Sequence, residues 1–553
     1  MTTIEIAGII LIIIVALVII RITGNQKLIR GIKQSWGKYP KYEFSQPPKE
    51  KYLHKAFEIL KKHNKDKNFI DDITWNDLDM LSIFHKINHT KSSVGAEALF
   101  YRLRTIKKDK EDQDYFQSLH KLFDENQDLR RKVQYAFVHL GRFEDNEVLS
   151  FLDSEIIEKK SGIVKHLIMG ITPLLSLVLI LFKVKSIGLP LLLVSLTGNM
   201  LYTTSRKYEF EKEFQKINYL LKFFHTGRMI RQLKFPLKED IEDLLPKFEK
   251  YRLLSLSTMA NMSNDMELLS YYINMVLMIP FISYSLVIKD IKKYRKEIIR
   301  LWYLIGDIDA CIAVLSYKTA IVNYCNPEFI EEKKISGQGL YHPLIENPVP
   351  NPVSWTDNTL VSGSNASGKS TYVKSIAINA IFAQTIYLAL AEEFQLKAGA
   401  VLSSMAIKDN VLEGDSYFMA EIKSLKRIVE DVEVSENSYY FIDEILKGTN
   451  TLERIAASAS IIEYFIERGC LSFVATHDIE LTKIFEDRVD NIHFRESFTE
   501  DNALTFDYKV YPGPSKTKNA IKLLEVIEFP QEIVTDAQDR LKSFQENESW
   551  TDY

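Results

Sequence analysis

The sequence predicts an α plus α/β chain: an N-terminal transmembrane anchor, a helical region with an inserted transmembrane hairpin, and a C-terminal α/β domain on a largely parallel sheet. Three observations predict it. Long apolar runs interrupt the first half, helix formers with apolar residues at three and four spacing surround them, and from Ile335 short apolar runs alternate with helical stretches. These shifts set boundaries at 1–24 for the anchor, 45–160 and 208–330 for the helical region, 161–207 for the hairpin and 335–545 for the α/β domain.

The anchor is Ile6 to Ile20, an uncharged and almost wholly aliphatic run between Glu5 and Arg21. At about 1.5 Å per residue it falls slightly short of a bilayer core, a gap that snorkelling of the flanking charges closes. Its Met-Thr-Thr-Ile-Glu start lacks the basic region of a signal peptide. Arg21, Lys27, Arg30 and Lys33 come after the run, so the positive-inside rule places the N-terminus outside and the helical region in the cytoplasm. The hairpin comprises Leu167 to Phe182 and Ser186 to Ser205, joined by Lys183-Val-Lys185 and flanked by Lys159, Lys160, Lys165, Arg206 and Lys207. A further run, Leu268 to Ile288, is long enough to span but carries Asn274, Pro280, tyrosines and serines. Three crossings leave the C-terminal half in the cytoplasm and a fourth would export it, so this run is expected to be a soluble core helix. The expected location is the cell membrane, with about three spans.

Composition narrows the classes. Hydrophobic residues at 46% and charged residues at 26% describe an ordinary globular balance, and a net charge of −4 gives no bulk attraction to nucleic acid, though a local basic groove is compatible with it. Cys311, Cys325 and Cys470 are too few and too scattered for a disulfide framework or a cysteine zinc site, which suits a reducing compartment. His85 and His89 share a helical spacing without a carboxylate in ligand register, and read as ordinary surface or core residues.

Chemistry concentrates in the α/β half. Thr359, Leu360 and Val361 read as the end of a buried strand, and Gly363, Gly368, Lys369 and Ser370 match the phosphate-loop pattern G-x-x-x-x-G-K-[ST]. Such a loop turns successive backbone N–H groups inward, adds a helix N-terminus and extends a lysine to the terminal phosphates, leaving Ser370 for magnesium. The nucleotide-binding set is Gly363, Ser364, Asn365, Ala366, Ser367, Gly368, Lys369, Ser370, Thr371 and Tyr372. Tyr439 to Glu444 reads as a buried strand ending in two carboxylates: Asp443 to hold magnesium with Ser370, and Glu444 to deprotonate the attacking water. Leu471 to Asp478 reads as a third strand ending in a polar pair, which brings out His477 where a parallel strand meets a ligand crevice, placed to sense the γ-phosphate.

The order of these motifs, Ser-Gly-Ser-Asn-Ala-Ser-Gly-Lys-Ser-Thr-Tyr, Asp-Glu-Ile-Leu-Lys-Gly-Thr-Asn-Thr, Ala-Thr-His-Asp-Ile-Glu-Leu and Tyr-Pro-Gly-Pro-Ser-Lys-Thr, resembles the MutS family, ABC-type ATPases known from DNA mismatch repair. Upstream, Asn323 to Phe329, Gly339 to Pro343, Thr74 to Asp79 and Thr90 to Gly95 resemble the family's approach to its ATPase and the start of its helical lever domain. The resemblance implies an ABC-type ATPase using ATP and Mg2+, active as a homodimer. Ser416 matches the serine that reaches the partner's γ-phosphate, Asn365 the loop asparagine beside that phosphate, and His477 the switch histidine. Phe529 to Leu541 resembles a helical element that packs across the dimer.

Departures accompany the match. Pro348 falls where an aromatic ring usually stacks on the base, and Gly448-Thr-Asn-Thr451 replaces Gly-Thr-Ser-Thr. The Phe-x-Glu mismatch-reading motif has no counterpart ahead of Glu50, and a C-terminal nuclease domain of the kind some relatives carry is not expected. The expectation is a membrane-anchored MutS-like ATPase that hydrolyses ATP at composite homodimer sites and moves levers, the hairpin or a membrane or cytoplasmic protein partner. The alternatives are a membrane-tethered DNA-binding ATPase of repair or recombination and a noncatalytic nucleotide-gated membrane scaffold.

Overall fold

The computed structural model describes residues 23–41, 47–63, 68–107, 110–143, 145–154, 162–252, 254, 272–364, 367–405, 417–498, 504–515 and 520–547. The anchor run Ile6 to Ile20, residues 268–271, Asn365, Ala366 and Ser416 lie outside them. The chain forms two compact units, one of Met1–Asp66, His85–Arg102 and Glu111–Ile321, the other of Lys67–Phe84, Leu103–Lys110 and Val322–Tyr553.

The first unit is helical. Its elements include α1 (Glu50–His63), α2 (Ser93–Leu103), α3 (Lys110–Glu125), α4 (Gln127–Leu140), α5 (Ile163–Leu181), α6 (Lys185–Gln232), α7 (Ile279–Lys293) and α8 (Arg295–Ala320). The axis is α8, whose buried residues run from Ile298 to Lys318 and include Asp307 and Asp309. Buried acids of this kind must be paired. Asp307 takes two bonds of 2.6 Å from Arg102 on α2, which also reaches Asp112 at 3.0 Å and stacks on Phe116. Asp309 accepts from the backbone N–H groups of Lys91 and Ser92 and from the Ser92 hydroxyl at 2.8 Å. Burial pushes Glu97 up to about 8, although Trp302 and Asn146 both donate to it.

Two helices among the described residues are long and apolar enough to cross a membrane, Ile163–Leu181 and Lys185–Arg206. Only 22% and 17% of their apolar windows are buried, which sets them apart from core helices of a soluble body. Exposed apolar side chains include Val164, Ile168, Ile171, Leu181, Phe182, Leu193, Val194 and Leu201. The break falls at Phe182 to Val184, as the sequence pattern expects. The returning helix does not stop at the end of the apolar run. It is one helix of 48 residues, Lys185 to Gln232, and Leu220, Phe223, Thr226 and Ile230 in its later part are buried.

Leu268 to Ile288 is not one helix in its described part. A turn at Leu277 and Met278, with Met278 at φ 56°, precedes α7, and Pro280 occupies the first turn of that helix. Proline suits a helix start and disrupts an interior, so the break falls just ahead of it. Asn199 of α6 serves the break, donating to the Val276 carbonyl at 2.6 Å and to the Met169 carbonyl at 2.8 Å. Gly170 faces the Leu277 carbonyl so closely that a Cβ would stand 2.4 Å from it.

The second unit carries a 6-stranded sheet. Its strands are β1 (Thr359–Ser362), β2 (Ala400–Ser404), β3 (Ser438–Asp443), β4 (Leu471–Ala475), β5 (Asp490–His493) and β6 (Tyr511–Pro512), in the order β6-β5-β1-β4-β3-β2. All neighbours run parallel except β6 on β5. Helices α9 (Lys369–Thr385), α10 (Tyr417–Val434) and α11 (Thr451–Glu467) follow β1, β2 and β3, the crossover pattern that parallel strands require. Trp355, buried in the separate 4-stranded sheet, meets Tyr439, Phe441 and Phe473 with centroids 5.1 to 5.4 Å away.

Residues 67–84 and 103–110 group with this unit, although the sequence pattern assigns 45–160 to one helical domain. The reason is a long-range polar link that local pattern does not carry. Asp77 accepts from the Ser403 hydroxyl at 2.8 Å and the Met405 N–H at 2.9 Å, while the Thr74 hydroxyl accepts from the Ser403 N–H.

Removing Arg102 tests the first unit's core. Arg102→Met leaves Asp307 and Asp112 buried without it and should cost about 3–5 kcal/mol of unfolding free energy in detergent. A loss below about 1 kcal/mol, the scale of an exposed pair, contradicts this reading of the network.

Candidate active site

The site is built at the C-terminal ends of β1, β3 and β4. Beyond β1 the chain turns at Gly363, φ 142°, where a Cβ would lie 2.6 Å from the Phe494 carbonyl. Gly368, φ 104°, closes the loop before α9, and its missing Cβ leaves room for the Tyr508 ring. Both conformations favour glycine. Lys369 opens α9, 5% exposed, and its Nζ donates to the Gly363 carbonyl at 2.6 Å and the Ser364 carbonyl at 2.8 Å. Burial lowers its pKa, with Asp443 and Glu444 opposing.

Strand register brings the acids to this loop. Ala475 of β4 sits opposite Asp443 on one side and Val361 on the other. The Glu444 N–H donates to the Ala475 carbonyl and the Thr476 N–H to the Val361 carbonyl, each at 2.9 Å, which extends the alignment past the strand ends. Ser370 hydrogen-bonds Asp443, whose pKa burial raises against that bond. The Glu444 carboxylate meets His477 Nδ1 at 3.0 Å and Lys447 Nζ at 2.8 Å. Burial favours its neutral form, but these two partners outweigh burial and hold it down to about 2. The bond to Glu444 in turn raises the His477 pKa against burial. The turn bearing Glu444 is strained: Glu444 at φ 62° and Leu446 at φ 55° are left-handed without being glycine, each costing on the order of 1–3 kcal/mol.

A pocket of about 540 Å³ opens over the loop, lined by Ser364, Gly368, Lys369, Ser370, Thr371, Tyr372 and Glu444 on one side. Tyr341, His342, Ile345, Pro348, Asn351 and Tyr508 line it on the other. Pockets of about 300–1,000 Å³ hold nucleotide-sized ligands. Tyr508 is the aromatic that sequence reasoning missed. Its backbone is left-handed at φ 54° and is pinned by Asn351, whose Nδ2 donates to the Tyr508 carbonyl at 2.8 Å and whose Oδ1 accepts from the Val510 N–H at 2.9 Å. Glu496 also escaped sequence reasoning, and its carboxylate accepts from the Ser364 hydroxyl. No motif spacing links these residues to the loop.

The structure thus brings together Gly363, Ser364, Ser367, Gly368, Lys369, Ser370, Thr371, Tyr372, Asp443, Glu444 and His477 of the expected set. Asn365, Ala366 and Ser416 belong to the residues not described. His89 is buried beside the Ser316 hydroxyl at 3.3 Å, with burial lowering it to about 3. Among the described residues no three His, Cys, Asp or Glu side chains gather as a metal cluster, and the donors that fit a magnesium ion are one carboxylate, Asp443, with the Ser370 hydroxyl.

Residues 359–545 match the model of MutS domain V. That stretch, the C-terminal part of the chain, is similar to the ATPase domain of MutS proteins. Similar MutS proteins include the DNA mismatch repair protein MutS of Thermus thermophilus, 29% identical over 242 residues, covering 43% of this chain and 29% of that protein. The human MutS protein homolog 4 is 30% identical over 276 residues, covering 46% of this chain and 29% of that protein. The Geobacillus DNA mismatch repair protein MutS is 28% identical over 282 residues, 48% of this chain and 32% of that protein. The chain therefore spans less than a third of the length of these MutS relatives. Their shared part is the C-terminal half, so the resemblance read from the motifs holds for the MutS ATPase domain.

The ion pair at the site gives a pH prediction. His477 gains stabilisation from Glu444 that is fully present below its ordinary pKa of 6.5 and is lost as pH rises through the raised value. Histidine-selective NMR should show the His477 imidazole titrating above 6.5, and Glu444→Gln should lower that titration, leaving only the attraction of Asp478 against burial. An unmoved titration contradicts the pair.

Proposed function

We propose that this chain is a membrane-anchored MutS-type ATPase that binds and hydrolyses ATP at composite sites of a homodimer and transmits closure through its helical body to the hairpin. The observation that carries the catalytic part is that Lys369, Ser370 and Glu444 line one pocket, with Asp443 bonded to Ser370 and His477 bonded to Glu444. Loop N–H groups and Lys369 bind the phosphates, releasing Lys369 from the loop carbonyls. Tyr508 and Pro348 flank the base. Ser370 and Asp443 would hold magnesium, which supplies charge neutralisation on the phosphates.

Glu444 accepts the proton of the attacking water. In its present geometry both carboxylate oxygens are engaged, one by His477 and one by Lys447, which leaves neither open to a water. Reaction therefore requires Lys447 to withdraw, which frees Oε2 for the water. Ser416 from the partner completes the phosphate shell, so hydrolysis is tied to association. The unbroken α6 supports the mechanical part, since a helix of 48 residues carries a displacement of the helical body into the hairpin without a joint. The exposed apolar faces of α5 and α6 support the bilayer as their surroundings.

Two experiments test this. Glu444→Gln should lower ATP turnover by about 10²–10⁴-fold while retaining bound ATP and accumulating dimer; unchanged turnover with an unaltered oligomer removes the mechanism. The full chain should stay with membranes through alkaline carbonate extraction, and release into the soluble fraction refutes the anchor. The names of the Thermus and Geobacillus relatives favour one rival, a tethered DNA-binding ATPase. A DNA affinity that falls steeply with salt would support that rival, whereas no binding favours the membrane role.

A further inference from the structure

Beneath the turn that carries Glu444 lies a second carboxylate that no motif singled out. Glu421, on α10, is 2% exposed. Its Oε1 accepts from the Lys447 backbone N–H at 3.0 Å. That bond ties α10 directly to the turn. Its Oε2 is buried without a hydrogen-bond partner. A carboxylate in such a place is costly unless it does something that an apolar residue cannot.

The turn it holds needs an outside constraint. Glu444 and Leu446 both adopt left-handed backbone that their side chains disfavour, and such conformations persist only where the surroundings over-determine them. The same turn sets the direction of Glu444 toward His477 and the placement of Lys447. Glu421 does not line the nucleotide pocket, so it acts on the reacting groups through the turn.

We propose that Glu421 is a positioning residue that locks the 446–448 turn to α10, so that Glu444 keeps its aim and any displacement of α10 is passed directly to it. The coupling half rests on the proposed function: α10 begins one residue after Ser416, the group assigned to the partner's phosphate. Engagement of one site would then shift the turn of the other and draw Lys447 from its Glu444.

The test uses the full chain in detergent with Glu421→Ala, Glu421→Gln and, as a control on the exposed face of the same helix, Glu430→Ala. Glu421→Ala should lower kcat by about 10²-fold, the scale of a misplaced catalytic group, with KM for ATP unchanged. Glu421→Gln keeps a carbonyl oxygen for the Lys447 N–H and should recover most of the rate, and Glu430→Ala should behave as the parent. Histidine-selective NMR reads the same event without turnover: in Glu421→Ala, Glu444 loses its aim and the raised His477 titration should fall. A parent chain that does not turn over ATP removes the ATPase reading, whereas the His477 titration still judges Glu421. The proposal is overturned if Glu421→Ala retains both kcat and the His477 titration. It is equally overturned if kcat, KM and Tm all collapse together in both Glu421 variants.

Discussion

Parallel pairing of β1, β4 and β3 is the constraint on which the candidate site depends. Parallel strands present their C-terminal ends on one edge, and the register sets Val361, Ala475 and Asp443 side by side. The phosphate loop, the acid pair and His477 leave the sheet at that level, though they are far apart along the chain. Hydrogen bonds from Glu444 to Ala475 and from Thr476 to Val361 carry the alignment one step beyond the strands. A slip of one residue would turn each side chain to the other face and disperse the site. The buried Trp355 against Tyr439, Phe441 and Phe473 helps fix that register from below.

The helical unit obeys a different logic, in which buried ions rather than sheet register specify the arrangement. Arg102 binds two acids from different helices, Asp309 gathers the backbone at the start of α2, and Glu97 receives Trp302 and Asn146. Each group is tolerable only while its partners stay in place, so the unit resists internal rearrangement. Helix α6 belongs both to this body and to the apolar hairpin. Asn199 plays a matching part within the hairpin, satisfying carbonyls beside the break at Leu277 and Met278 where apolar neighbours cannot.

What could be read from the sequence was local. The phosphate loop, Asp443 and Glu444 ending a strand, and His477 ending another each announce themselves within a few residues, and the parallel sheet is implied by their alternation with helices. The hairpin and its break were equally legible from apolar length and the Lys183 to Lys185 interruption. Features that failed to show were long-range. Tyr508 enters the pocket through Asn351, Lys447 reaches Glu444 across a strained turn, and Glu421 addresses that turn from another helix. Residues 67–84 join the α/β unit through Asp77 and Ser403, contacts that no helical periodicity encodes. Leu268 to Ile288 has the length of a helix, and only Pro280 hinted that it breaks.

The central claim is that one complete ATP site takes its parts from two copies of the chain. Mixing two inactive variants tests it most directly: Lys369→Ala lacks a working phosphate loop, and Ser416→Ala lacks the group offered to the partner. In a mixed dimer one site receives the intact loop of the second and the intact serine of the first. The account predicts that ATP turnover, absent from either variant alone, returns on mixing; two folded variants that remain inactive together would contradict it.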